Sequence, residues 1–520
     1  MDLRRPDGNS HAAAAPGGAT AASSSRQVIR ARRVDRVLLA AGALLLAATI
    51  ARLIWALPRY EGIIHVSGVW TTLAIDLTNG LFYRPLVSES GYGGTRYMPL
   101  HFTLHAGLIK LGLDPIRAGN LLAVCSGAVL LLGTFQLLRR LGIGPSLAAG
   151  ATMLLLGCTS VQMGLSDIRP DLLAAGLNIW GLVVCLPRPG GGTCVRWPGL
   201  MLAAMLFVLA FGAKLTSLFG LAAAVLWLAL AGRRRDAAGL LLLTLCGIVV
   251  MVAGIYWTSE GRAWESMRAC ATAGASLGRL LESPHLLFNT SRSFDLPGFV
   301  LILLAMAALL PAGPGAWLSL PAVLLILTGG ATLLIFASPG TEANHLVDLD
   351  VAATVALAWQ VARFPHRLAF AKAAMAVLAL ASAAVLYEEI RDDRASTSHR
   401  QQILHVLDNV GDRRDGPILS EDPLVPIFAG EAVYMLDPFL FRVIALEDAS
   451  FAQRLWSKLE ARQFRAVVLL TDPSREGGRA WYHGSHFGPG FVERVLSNYR
   501  LVAWNDRYLV YRPLRVIDGR

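Results

Sequence analysis

The chain has 520 residues, of which 54% are hydrophobic and only 16% charged. Soluble domains carry about 25% charge, so this composition reads as a polytopic membrane protein and excludes a cytosolic enzyme, a DNA-binding factor and a secreted domain. The formal charge of +11 sits largely beside apolar segments, where it sets orientation and meets anionic lipid; no basic stripe with interleaved aromatics points to nucleic acid.

In chain order, residues 1–30 read as a disordered cytoplasmic tail, rich in Ala, Gly, Ser and Pro up to about residue 27. The run RQVIRARRVDR then places five arginines before a first apolar segment at about 37–57, holding the N-terminus in the cytoplasm. A long outer loop follows, at about 58–96. Spans are expected near 117–138, ending at Arg139 and Arg140; near 145–165, leading to SDIRPD; and near 172–187, leading to a loop with Arg188 and Arg196. A hairpin of two spans turns at Lys214 and ends at Arg233, Arg234 and Arg235. Further spans run at about 237–257, on either side of PAGPGA, from SPGTEANHLVDLD to RFPHR, and at about 368–387. The total is about eleven, with the C-terminus outside. Residues 97–113 are apolar but would reverse every later loop if counted, so they read as a juxtamembrane or re-entrant helix. All six cysteines lie in the membrane half, without CxxC or Cys/His metal spacing.

The fold class expected is a polytopic all-α membrane domain, residues 31–390, followed by a small extracytoplasmic α/β domain, residues 391–520. In the latter, GPILSED, RAVVLLTD and YLVYRP read as strands and FAQRLWSKLEARQF as a helix. Polar and ionisable residues collect on the outer side: Glu61 and Asp76 in the first loop, Asp167, Arg169 and Asp171 in the second, Lys214 in the third, and Glu342, Asn344, His345, Asp348 and Asp350 in the fifth. Charge at a membrane is costly, so such groups are functional candidates.

The first loop resembles that of the GT-C superfamily of integral-membrane glycosyltransferases, in the bacterial mannosyltransferase-like and aminoarabinose-transferase-like branch. The matching features are Glu61 after the first span, Ala74–Gly80–Leu81–Tyr83–Pro85, and Tyr97–Pro99 before the juxtamembrane helix. RPDLLAAGL and GTEANHLVDL are similar to the second-loop and fifth-loop motifs of that family, with His345 at the ring position. Family members often carry a paired acid in the first loop. Here Glu61 stands alone, the next acid being Asp76, which leaves open which one holds the catalytic position; Glu61 is favoured.

The resemblance implies transfer of a sugar from a polyprenyl-phosphate donor to a lipid, glycan or protein acceptor hydroxyl at the outer face of a bacterial cell (inner) membrane. A hydroxyl is a poor nucleophile, so a carboxylate must take its proton; Glu61 is the candidate. Asp171 is the second catalytic candidate, orienting the acceptor, positioning Arg169 or holding a divalent cation. Arg96, Arg169 and Lys214 are candidates to meet the phosphate charge. Tyr97, Asn344 and His345 complete the substrate-binding set. Each has a plainer role as a span-end or interface residue. The competing functions are a lipid-linked-glycan transporter or flippase, which calls for charge near the bilayer midplane, and a non-catalytic assembly protein with an outer binding domain.

Overall fold

The computed structural model describes residues 18–187, 197–271, 276–311, 313–365, 368–393 and 396–514. Residues 1–17 of the expected tail, Arg188, Cys194, Arg196, His366 and Arg367 lie outside the described residues.

Helix α1 (Gly18–Ala56) takes in the basic run and the first apolar segment, and so begins inside the stretch expected to be tail. The first loop then forms α2 (His65–Thr78), the short hairpin β1 (Val87–Ser88) and β2 (Gly91–Tyr92), and α3 (Leu100–Lys110). With 11 residues, α3 rises only about 16 Å at 1.5 Å per residue, half of a hydrocarbon core. It is too short to span, and it buries His101, Phe102, His105 and Ala106.

Helix α4 (Pro115–Arg140) follows, with Asp114 capping its first turn at Ile116 and Arg117. The next expected span is two helices, α5 (Pro145–Leu154) and α6 (Thr159–Ser166), bent by 73° at the break between them. The bend has two causes. Gly157 lies against α17, introduced below, so closely that a Cβ would sit 2.6 Å from Ser382 Oγ. Beyond Cys158 the freed amides of Thr159 and Ser160 donate to the Asp295 carboxylate at 2.9 and 3.0 Å, as orphan N–H groups at a helix start require.

The remaining apolar segments fall on α7 (Asp171–Cys185), α8 (Trp197–Ala213), α9 (Phe219–Leu230) and α10 (Arg234–Thr258). After α11 (Arg262–Cys270) and the amphipathic α12 (Leu277–Phe294) come α13 (Leu296–Leu309), the single turn α14 (Pro314–Trp317), α15 (Leu320–Phe336), α16 (Val347–Arg363) and α17 (Ala369–Asp393). Five helical stretches are long and apolar enough to cross a membrane, six with the bent pair, and five shorter apolar helices stand beside them. Together they coincide with the eleven segments read from the sequence. Of the five long stretches the most enclosed is that of α16, which presents Ala352, Ala353, Ala356 and Ala358 to its neighbours and is packed on α13 and α15.

The C-terminal region is the expected α/β unit. Its sheet has the order β3 (Ile418–Ser420), β4 (Ala466–Leu469), β6 (Leu509–Pro513), β5 (Tyr499–Trp504), parallel between the first two and antiparallel beyond. Its helices are α18 (His399–Leu407), α19 (Leu424–Phe428), α20 (Pro438–Glu447), α21 (Ala449–Glu460), α22 (Glu476–Gly484) and α23 (Phe491–Asn498). The loop after α1 is built into this unit. Tyr92 N donates to Tyr434 O at 2.7 Å and Leu436 N to Tyr92 O at 3.2 Å, while the Tyr92 ring is fully buried in the domain's aromatic core. Arg84 Nη1 donates to Val433 O at 2.6 Å.

Candidate active site

Asp171 is the first residue of α7, placed there by the fixed backbone of Pro170 before it. Its carboxylate is 3% exposed. Lys214, one residue past the end of α8, donates to Asp171 Oδ1 at 2.6 Å. Asn344, in the 3-10 turn Ala343–Leu346 that leads into α16, donates from Nδ2 to the same oxygen at 3.0 Å. Three loops far apart in the chain therefore meet on one oxygen, and no described residue bonds the other.

A second network adjoins it. Arg169 is buried; its Nε pairs with Asp167, and its Nη1 and Nη2 both reach Glu342 Oε2 at 3.1 Å. Asp167 also accepts from Ser67 Oγ, which in turn accepts from Ile168 N at 3.0 Å, tying the first turn of α2 to this loop. Burial raises the Asp167 carboxyl above its ordinary range, against the pull of Arg169. Unlike the rest of the cluster, Glu342 stays open to solvent, at 46% side-chain exposure.

The other expected binding residues lie within electrostatic range of this centre. His345 feels Lys214, Asp171, Arg169 and Arg96; the Tyr97 phenol, held protonated by burial, feels Asp437, Arg96, Arg169 and Glu342. Tyr97 is stacked on Trp70 at 4.4 Å, and Arg96 lies 6.0 Å from the Phe439 ring centroid. Thus Arg96, Tyr97, Arg169, Asp171, Lys214, Asn344 and His345 are brought together.

Two further residues belong with them. Asp348, in the first turn of α16, has Lys214 and Asp171 as its charged neighbours, and its Oδ1 is buried without a hydrogen-bond partner among the described residues. His101 of α3 feels the Asp171 charge, and both its ring nitrogens are buried without partners among the described residues. His345 Nδ1 is likewise unpaired. Buried polar atoms are nearly always paired in folded proteins, so several orphans around one ion pair make this the candidate place for a polar group. Asp348 is visible in the fifth loop, but nothing in the spacing sets it apart from Asp350; His101 falls in the segment 97–113, whose reading as a juxtamembrane or re-entrant helix gives it no role.

Glu61 makes its contacts with a different set of partners. Its carboxylate accepts from His399 N at 3.2 Å and stands 3.6 Å from Arg507 and 3.8 Å from Arg59, a seam between the first loop and the C-terminal domain. Asp76 is clamped by Arg84 in a two-pronged pair, with Nη2 to Oδ1 at 2.8 Å. A cavity of about 340 Å³ between α2 and the C-terminal domain is lined by this pair, Thr72, Asn79 and Glu431.

Among the described residues, one group of three metal-type ligands lies close together: Cys158, Asp295 and Asp350, with ligand atoms within 4.8 Å of one another and all fully buried. Asp295 already takes the amides of Thr159, Ser160 and Gly298, and Asp350 Oδ2 takes Ser160 Oγ at 2.5 Å. Two helix starts, α6 and α13, thus direct their N–H groups at this spot, which suits a carboxylate cap better than a cation.

No family model and no curated protein sequence matches the chain. Solved structures match it in shape. ArnT from Cupriavidus metallidurans in the apo state superposes with a TM-score of 0.59 over 87% of this chain and 94% of its own, at 12% identity. The same protein bound to undecaprenyl phosphate gives 0.56 over 92% and 99%, at 13% identity. The apo oligosaccharyltransferase of Archaeoglobus fulgidus gives 0.50 over 91% and 74%, at 11% identity. The chain has the GT-C fold. The coverage shows that the GT-C likeness extends over nearly the whole chain.

Proposed function

We propose that this protein is a membrane glycosyltransferase that moves a sugar from a polyprenyl-phosphate donor to an acceptor hydroxyl at the outer face of the cell membrane. The observation that carries the reading is the Asp171–Lys214–Asn344 junction, with the unpaired polar atoms of His101, His345 and Asp348 around it. Two structures of the same fold lend support: one was solved with undecaprenyl phosphate, another tethered to an acceptor peptide.

In this reaction the acceptor oxygen bonds to the anomeric carbon, the bond from that carbon to the phosphate oxygen breaks, and the phosphate stays on the lipid. Lys214, Arg169 and Arg96 supply fixed positive charge where the leaving phosphate gains negative charge. Lys214 acts as a point charge and Arg169 as a planar fork. The acceptor proton passes to a carboxylate. Asp171 fits that role by position: Oδ1 is held by Lys214 and Asn344, which fixes the group and leaves Oδ2 for the substrate. Glu61, the acid implied by the first-loop resemblance, is engaged at the domain seam. No residue set in the cluster dictates a divalent cation. A transporter would need its charges at the midplane, whereas these stand at helix ends.

The test compares Asp171→Asn with Glu61→Gln in membranes supplied with labelled polyprenyl-phosphate sugar. Removing a proton acceptor costs about 10²–10⁴-fold in rate. We expect that loss for Asp171→Asn at normal expression, with Glu61→Gln within a few-fold of wild type. The reverse pattern would move the base to Glu61.

A further inference from the structure

The C-terminal domain carries a carboxylate that is wholly buried yet fully engaged. Glu421 follows β3, and four donors converge on it: Leu470 N at 2.8 Å, Trp481 Nε1 at 2.8 Å, Tyr482 OH at 2.7 Å and His486 Nδ1 at 2.7 Å. Against the cost of burial, the bonds from His486 and the others keep it below its ordinary range. An ionised Glu421 orders the imidazole: His486 must donate from Nδ1, which turns Nε2 away from the carboxylate.

Beside Trp481 of its own domain, 4.6 Å away between ring centroids, His486 also faces a residue of the first loop. Its ring stands edge-on to that of His65, at 5.3 Å between centroids and 73° between planes. His65 is the first residue of α2, half-buried, and has no hydrogen-bond partner among the described residues. It is flanked by the two points at which this stretch of the first loop touches the candidate site. Ser67 bonds Asp167, and Gly62 packs on Ser166, where an added Cβ would lie 2.5 Å from Oγ. Arg169 is among the charges that His65 feels. The approach of α2 to the C-terminal domain is equally close at Gly68, where a Cβ would sit 2.9 Å from Leu424 N.

We propose that the C-terminal domain completes the donor pocket through this pair: His65 contacts a hydroxyl of the donor sugar, and His486, fixed by Glu421, is the residue that positions it. The division of labour follows from charge. Arg169, Lys214 and Arg96 suit the phosphate, whereas His65 is neutral: burial first, and then His486 opposite, press its basicity down to about 3. A neutral imidazole both donates and accepts, as a sugar hydroxyl does. This inference rests on the glycosyltransferase reading above.

The probes are bare polyprenyl phosphate and polyprenyl-phosphate hexoses, titrated into the purified full-length protein in detergent. We expect His65→Ala to weaken binding of the sugar-bearing lipid about 3–10-fold, the scale of one neutral hydrogen bond, and to leave bare polyprenyl phosphate unchanged. His65→Gln, which keeps a donor and an acceptor, restores most of the loss. His486→Ala matches His65→Ala, and the double variant is no worse than either. The groups facing His65 are His486 and Glu421 from the C-terminal domain and Arg169 from the α6–α7 loop; with His65 neutral, wild type and His65→Gln share one pH dependence of binding between about pH 5.5 and 8. Equal weakening of both lipids, no weakening of either, or no rescue by Gln overturns the proposal. If bare polyprenyl phosphate fails to bind wild type, the glycosyltransferase reading itself falls.

Discussion

Asp422, next to Glu421, shows how differently two adjacent buried carboxyls behave. Glu421 has four donors; Asp422 accepts from Tyr508 OH at 2.6 Å and Leu424 N at 2.9 Å. Burial outweighs these bonds and lifts Asp422 to about 6. A folded value above the unfolded one means that protonation favours the fold. This contribution is complete below about pH 4 and is lost as the pH climbs through 6. At about 1.4 kcal/mol per unit, the difference is large enough to read. Asp422→Asn, which keeps an acceptor for Leu424 N but cannot ionise, should gain melting temperature relative to wild type between pH 4 and 7 in detergent. A difference between the two that stays constant across that range would show that Asp422 ionises normally. Residues of this kind are invisible in the sequence. The outer charges Arg169, Asp171 and Lys214 were legible because apolar flanks made them conspicuous, whereas Glu421 and His486 stand in ordinary polar surroundings 65 positions apart and meet only through the fold.

At the scale of elements, apolar segments could be counted from the sequence because lipid demands them, but their continuity could not. Residues 145–165 read as one span, and nothing in TSVQMGLS announces a break. The break depends on Asp295, which lies more than 130 residues on and caps α6 and α13 together through Thr159, Ser160 and Gly298. A local reading sees Asp295 as the cap of α13 alone. Removing it strands three amides at two helix starts. Single caps are worth about 1 kcal/mol and an unpaired buried donor about 1–3 kcal/mol, so Asp295→Ala should cost about 2–4 kcal/mol, with Asp295→Asn nearer 1–2. Thermal unfolding in detergent measures both. A loss under 1 kcal/mol for the alanine variant would mean that the bend is set by Gly157 and its contact with α17, without help from the cap.

For the whole molecule, the contact between the first loop and the C-terminal domain constrains how the chain crosses the membrane. Tyr92 bonds Tyr434 and Leu436, and Arg84 bonds Val433, so both regions stand on one side. The number of crossings between them must then be even. The apolar elements in that interval are α4, the bent pair α5–α6, α7, α8, α9, α10, α13, α15, α16 and α17, which make ten. Counting α3 as well would give an odd number and put on opposite sides two regions that share backbone hydrogen bonds. The ends meet consistently. Arg140 at the end of α4 donates to Leu186 O just past α7, at 3.4 Å, while the opposite end of α7 meets Lys214 and Asn344. The first of these faces holds Arg139 and Arg140, and the same parity gives it Arg233–Arg235 and Arg363. The positive-inside tendency leads us to propose this face as the cytoplasmic one. Alkaline phosphatase fused after residue 514 should therefore be active, as it matures only outside the cytoplasm, and a fluorescent protein inserted at the Arg233–Arg235 turn should be bright within. Activity and fluorescence exchanged between these two positions would invert the protein in the membrane and place the Asp171 junction where no externally displayed acceptor can reach it.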